Sequence, residues 1–489
     1  MPADIRPSRI SRFVRFWWLW SALIAVAVCY WAHLQNERKW EMKWQDYVAG
    51  ARDRDVKLYL SEFLPTESIP DAENFAATPL WKEVFALNGQ GPRATKLGLL
   101  KKANPFPHPR KGVSRPAETD FAEWRRALAR IKESAKPDPS VSDPEAILKG
   151  LEFIEPELAE IREALHRPKV FFPVRWDDGL DLALPHIPVI QHIGQSLSLR
   201  ASAMVELRDS AGALRDFQAV CDVATKLDQE PLMVIGSVEV NLVERALNTL
   251  EKGLNRNLWT PEQLQEIESR LANLNMFRRF MVAITTEQCF TNTALEPLVR
   301  AASGRNLRIY TEKTSWVQNL YSSRASFWRE NQLWINRAIE EQAIPWDTTR
   351  ELWTPLGRGF IVDEIPNFQH SWDMSVAAYT LPVFDTAAHT FLFVHDRVRM
   401  AGLACALERY RIAKGAYPAT LDALVPDFLP KLPHDPCDGQ SFRYRLIPEG
   451  YLLYSIGIDR VDDDGKVKSF RDEISGPDWR WWSPERLTQ

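Results

Sequence analysis

The chain has 489 residues, 45% of them hydrophobic and 26% charged, the balance of a folded protein of about two to four domains and far from that of a disordered one. A formal net charge of -4 and a pI near 6.2 give no electrostatic argument for nucleic acid, which demands a basic face to neutralise phosphates, so no nucleic-acid partner is expected. The outlier is tryptophan, with 19 copies, several in and just beyond the N-terminal apolar run and the rest scattered; the scattered ones fit core packing better than a ligand-stacking platform.

Residues 1–15 form a basic tail carrying Arg6, Arg9, Arg12 and Arg15. Phe16 to Leu34 then contains no Asp, Glu, Lys or Arg. At about 1.5 Å per residue that run crosses a hydrocarbon core of roughly 30 Å. The arginines before it and the mixed charges after it (Glu37, Arg38, Lys39, Glu41) predict an inner-membrane single pass, with residues 1–15 in the cytoplasm, 16–34 in the bilayer and the bulk outside. A cleavable signal peptide is the rival. An uncleaved anchor is preferred because Ala25 and Ala27 make a poor small-residue cleavage site, still within the apolar run and followed by Tyr30 and Trp31. Val28 before Cys29 also breaks the lipobox pattern. Trp17, Trp18, Trp20 and Trp31 in the anchor, with Trp40 and Trp44 just beyond it, suit a membrane interface.

Residues 35–145 read as a charged helical stalk, to about residue 60, followed by extended chain interrupted by many prolines, with one helix near Ala117 to Glu133. The run Asn104-Pro-Phe-Pro-His-Pro109 is read as loop ahead of a polyproline ligand. Residues 146–370 are predicted helical. Leu214, Phe217, Cys221, Ala224 and Leu227 recur at helical spacing, and the turn Arg208-Asp-Ser210 joins them to a helix over Ser196 to Leu207 as an antiparallel hairpin. Thr260-Pro261-Glu262-Gln263 has the form of a capping box, with Leu264, Ile267, Leu271 and Leu274 as the stripe behind it. Residues 371–489 open with a helix to Lys414, expected to break near Pro382. Its stripe Met400, Leu403, Ala404, Leu407 and Tyr410 faces a terminal sheet, and Gly415 closes it.

Chemistry is harder to find. Cys221, Cys289, Cys405 and Cys437 lie outside the span, allow three disulfide pairings between which spacing cannot choose, and lack the CxxC pattern of zinc or redox motifs; buried thiols are expected for most. His186 with His192, and His389 with His395, miss the i, i+4 spacing that aims two imidazoles at one metal. His395-Asp396 reads as structural, and Asp177, Asp178, Glu157 and Glu160 lack a recognisable partner. No GxSxG, HExxH, SxxK, Walker-A or GxGxxG pattern occurs.

The tail carries the one motif set: Leu403 to Tyr410, Gly415-Ala-Tyr417-Pro418, Leu432-Pro433-His-Asp435-Pro436, Phe442-Arg-Tyr444, Tyr454-Ser-Ile-Gly457-Ile-Asp459, Asp462-Asp-Asp464-Gly465 and Asp472. In this order it resembles the C-terminal globular part of the major pseudopilin of type II secretion systems, a long helix and small sheet ending in a calcium-binding loop. The resemblance implies Ca²⁺ at Ser455, Asp459, Asp464 and Asp472, the oxygen-rich set that a hard cation takes. An EF-hand is excluded, since aligning Gly465 with its glycine puts Arg460 and Arg471 at the first and last ligand positions. Arg460 and Arg471 are also the rivals that would neutralise these carboxylates without metal. The prepilin cleavage site of a working pseudopilin is missing. Ile69-Pro-Asp-Ala-Glu73-Asn-Phe75, Trp176-Asp-Asp-Gly179 and Glu230-Pro231 extend a resemblance to a functionally uncharacterised bacterial family of membrane-anchored proteins with the same tail. The hairpin resembles a tetratricopeptide unit, without the regular repeats of a solenoid.

The expected fold is therefore mainly α, a helical bundle with a tetratricopeptide-like hairpin, plus a small C-terminal α+β pseudopilin-like domain and one transmembrane helix. The expected role is a non-enzymatic extracytoplasmic scaffold or interaction module with a protein partner in the cell envelope. The alternatives are an extracytoplasmic hydrolase with a carboxylate/His site and an accessory part of a type II secretion or pilus-like assembly.

Overall fold

The computed structural model describes residues 9–64, 69–103, 119–136, 138–303, 323–343, 346–353, 375–448, 450–466 and 478–481. Within them the chain is mainly helical with a small C-terminal antiparallel sheet. The run 104–109 read as a loop lies outside the described residues.

Helix α1 spans Arg9–Asp53 without interruption and changes character along its length. Trp17, Trp18, Trp20, Leu23, Ile24 and Trp31 are exposed, whereas Trp40, Trp44, Val48 and Ala51 are buried with Leu58 and Leu333. Two expectations are corrected here. Residues 35–53 are no free stalk, and Trp40 and Trp44 are core residues, because this stretch of α1 lies against helix α12 (Ala325–Ala343).

Proline opens helices in residues 61–145, where the expectation was that it would break them. Helices α2 (Pro79–Ala86) and α3 (Pro92–Ala103) each begin on one, the position at which the missing N–H has no intrahelical partner to lose. Helix α4 (Phe121–Leu128) falls inside the expected segment and is shorter, starting on the Asp120 cap. Helices α5 (Asp143–Gly150) and α6 (Glu155–Ala164) lead to α7 (His186–Glu206), which begins ten residues before the predicted hairpin start, and α8 (Ser210–Leu227). Asp209 caps α8 by accepting from Gly212 N at 2.9 Å. The hairpin's third layer is α9 (Met233–Asn255), packed on both α7 and α8. Helix α10 (Pro261–Ala272) starts with the predicted capping box, its Thr260 and Gln263 bonding reciprocally, and buries Leu264, Ile267 and Leu271. Helix α11 (Met276–Ser303) then pairs with α12.

A two-stranded hairpin, β1 (Trp346–Asp347) and β2 (Leu352–Trp353), precedes helix α13 (Ser375–Lys414). Against expectation α13 runs through Pro382: one proline removes a single backbone bond, too little to end a 40-residue helix. Met400, Leu403, Ala404 and Leu407 are buried, and α13 ends at Gly415, whose N–H bonds to Arg411 O at 2.8 Å with φ +83°. Strands β3 (Arg443–Ile447), β4 (Gly450–Ser455) and β5 (Trp479–Trp481) form an antiparallel sheet in that order, seated on α13. One hydrophobic core runs from Leu60 to Trp481, so the terminal sheet shares its interior with the helices.

Candidate metal centre

Asp396, Asp435, Cys437 and Ser455 meet where α13, the loop before β3 and the end of β4 come together, and all four have no solvent exposure. Local structure aims each one. Asp396 shares the buried side of α13 with Phe393, Met400 and Leu403. Asp435 is fixed by backbone donors, its Oδ1 accepting from Cys437 N at 2.9 Å and its Oδ2 from Ile456 N at 3.0 Å. Its main chain closes the loop through Asp435 N to Gln440 O and Gly439 N to Asp435 O. Cys437 Sγ donates to Asp396 Oδ2 at 3.9 Å. The Ser455 hydroxyl lies beside all three groups, and its oxygen accepts from Gly457 N at 3.2 Å.

Donor atoms of Asp396, Asp435 and Cys437 lie within 4.8 Å of one another, so the group could hold a metal ion. Burial, and then the neighbouring Asp435 carboxylate, holds Asp396 well above the ordinary carboxylate range. Burial likewise raises Asp435, and burial with the Asp396 charge raises the Cys437 thiol. Asp396 Oδ1 is buried without a hydrogen-bond partner. Arg443 makes a long ion pair with Asp435, its Nη1 3.7 Å from Oδ2, while its Nη2 bonds Asp438 at 2.6 Å.

The residues of the calcium expectation are placed differently. Ser455 belongs to the buried group above. Asp459 is exposed and accepts from Val461 N at 3.1 Å, and Asp464 is exposed with its own N–H on Asp462 Oδ1 at 3.0 Å. Asp472 lies outside the described residues, as does Arg471. Arg460 turns away from the acidic turn to donate to Trp353 O at 2.8 Å. The turn is instead organised by Asp478, buried and raised to about 6 chiefly by burial, whose Oδ2 accepts from Asp463 N (2.9 Å) and Gly465 N (2.7 Å).

Other sequence candidates are engaged in packing or ion pairs. His186 is stacked on Phe172 with ring centroids 4.2 Å apart. His395 accepts from Phe277 N at 3.4 Å and faces Arg399 and Glu351. Glu157 pairs with Lys96, Glu160 with Arg93, and Asp178 with Arg175. Cys221, Cys289, Cys405 and Cys437 are all free and buried.

Sequence reasoning passed over Asp396, Asp435 and Cys437 as a group. Cys437 and Asp396 stand 41 positions apart, on a helix and in a loop, and no motif spacing connects them. No family model, curated protein or solved structure matches the chain.

Proposed function

We propose that the chain is a single-pass membrane protein whose helical body is held against the extracytoplasmic face of a bacterial inner membrane, where it serves as a non-enzymatic scaffold or interaction module. The observation that carries this reading is the split nature of α1. Its N-terminal part presents an apolar surface to its surroundings, and its C-terminal part is a core element of the body. A helix shared in this way leaves no flexible tether, so the body's orientation to the bilayer is fixed by packing. Polar contacts reinforce the joint: Glu37 accepts from Ser326 N and Oγ at 2.8 and 2.6 Å, Arg329 pairs with Glu41 at 2.8 Å, and Tyr47 donates to Glu340 at 2.8 Å.

The non-enzymatic part of the reading is supported by how titratable groups are used. His186 is enclosed among aromatic rings. The open groove of about 640 Å³ between α10, α13 and Leu429 to His434 has its acids in ion pairs, Glu268 with Arg409 and Glu351 with Arg399, each at 2.7 Å. The long helix ending at Gly415 beneath a small antiparallel sheet is also the arrangement that a pseudopilin-like tail implies, and the α7–α8 hairpin supports a tetratricopeptide-like packing unit.

Two measurements in cells test this proposal. A C-terminal alkaline phosphatase fusion is expected to be active and to stay in the membrane pellet after carbonate extraction, with an intact N-terminus on sequencing. An inactive fusion overturns the topology, and a body released by cleavage near residue 30 overturns the anchor. A photocrosslinking residue at Val234, exposed at 47%, is expected to give a discrete envelope-protein adduct; a chain that never crosslinks to another protein from the exposed faces of its body overturns the scaffold role.

A further inference from the structure

The geometry assigns to Asp396, Asp435, Cys437 and Ser455 a structural zinc site that pins helix α13 to the C-terminal sheet, an assignment that stands independently of the membrane and scaffold reading. Three separate elements deliver these side chains to one point: the middle of a long helix, a loop closed by its own backbone bonds, and the end of the central strand. All four are fully enclosed. Acids are rarely buried together unless a positive charge compensates them. Among the described residues no lysine or arginine reaches Asp396 within ion-pair distance, Arg399 acting on it only from further off, and the ion pair of Arg443 with Asp435 is long, at 3.7 Å.

A second observation points to a ligand. Asp396 Oδ1, on a residue with no solvent exposure, makes no hydrogen bond of normal geometry, while its Oδ2 already faces Cys437 Sγ at 3.9 Å and the Ser455 hydroxyl, itself one of the proposed ligands, stands beside the carboxylate. A buried acceptor without a partner keeps its full desolvation penalty, and a bound cation removes it. The donor set chooses the ion. Calcium and magnesium take oxygen ligands in larger or octahedral shells and gain nothing from sulfur. Zinc accepts thiolate and carboxylate together, prefers four ligands, and in structural sites has all of them supplied by the protein. The two carboxylates and the thiolate supply three such ligands, and the Ser455 hydroxyl beside them offers a neutral oxygen at the fourth position. The donor separations among Asp396, Asp435 and Cys437, all within 4.8 Å, must contract to about 3.3–3.5 Å around a tetrahedral ion with bonds of about 2.0–2.3 Å, a closure of at most about 1.5 Å for any of these pairs. Binding displaces the thiol proton of Cys437 and any proton held by Asp396 to solvent. Full enclosure means that the ion is taken up as the chain folds.

The test uses the full-length chain purified in detergent without added metal. About one zinc per chain by mass spectrometry, retained through dialysis against chelator, is the expected result. Protein produced with cobalt in place of zinc should show the near-ultraviolet thiolate-to-cobalt charge-transfer band, and Cys437→Ser should lose it. Asp396→Asn is expected to weaken zinc retention by more than about tenfold. Should either variant fail to fold, the wild-type metal content and cobalt spectrum still decide the matter. Absence of stoichiometric metal together with absence of the thiolate band overturns the site, leaving two carboxyls that share protons. Metal retained equally by Cys437→Ser and Asp396→Asn, or bound as calcium without a thiolate band, also overturns it and places the ion elsewhere, the Asp459 turn being the first place to look.

Discussion

His186 is a basic group kept neutral by its neighbours. Its ring stacks on both Phe172 and Phe85, which also stack on each other, neither nitrogen has a hydrogen-bond partner, and burial depresses its pKa to about 3; burial and then Lys101 take His192 to about 4. In the unfolded chain both titrate near 6.5, so the unfolded state binds more protons than the folded one below that pH. Their stability contribution is complete above about pH 6.5 and is lost as pH falls toward 3–4, by up to about 1.4 kcal/mol per unit for each histidine. His186→Phe, which keeps an aromatic ring in the stack, is expected to flatten the fall in urea midpoint between about pH 6.5 and 4.5. Identical pH profiles for the two proteins would show that His186 finds a proton-accepting partner. Gly415 gives a backbone counterpart. No atom lies within 4 Å of the Cβ that alanine would add, and φ is +83°, so Gly415→Ala tests conformation alone. A loss of roughly 1–2 kcal/mol in equilibrium unfolding is expected, and an unchanged midpoint would mean that α13 ends in another geometry.

At the scale of elements, α1 has two environments and two expected responses. Trp44 is 1% exposed and packs in the cluster that contains Leu333, whereas Trp17 is 73% exposed. Trp44→Ala should destabilise the body by about 3–5 kcal/mol in urea titrations in micelles, since it leaves a large cavity. Trp17→Ala should shift the same transition by no more than about 0.5 kcal/mol. Equal effects from the two substitutions would sink the docking of α1 on α12. The α12 side of the joint is itself held in register against α11: Asn336 Nδ2 donates to Asn292 Oδ1 at 2.7 Å and Asn292 Nδ2 to Asn336 Oδ1 at 2.9 Å, with Gln288 of α11 donating to Asn336 Oδ1 at 2.8 Å and to Tyr47 of α1 at 3.0 Å. Buried amides satisfied in this reciprocal way exclude shifted packings that would leave them unpaired.

Across the whole molecule, locally encoded features were legible from the residues. The apolar run of α1, the Thr260 capping box, the stripes of α8, α10 and α13, and the Gly415 stop each depend on neighbours within a few positions, and helix periodicity or cap chemistry reports them directly. Where the expectations failed, the deciding contact was remote. Trp40 and Trp44 look like interface tryptophans until α12 covers them, and the Ser326 to Glu37 bond at that joint links residues 289 positions apart. Pro79 and Pro92 look like breakers until the segments they open find a core to pack on. The acidic turn draws attention by density of charge, yet its exposed side chains mostly bond their own backbone, and the carboxylate that orders it, Asp478, arrives from β5's edge. The sequence by itself determined that a basic, apolar helix precedes a mainly helical body with a small terminal sheet, because hydrophobic period and capping act over one or two turns. Only the tertiary structure decided that Asp396, Asp435, Cys437 and Ser455 form a single enclosed group, because their convergence depends on a helix, a loop and a strand packing together, and no periodicity in a linear chain records that meeting.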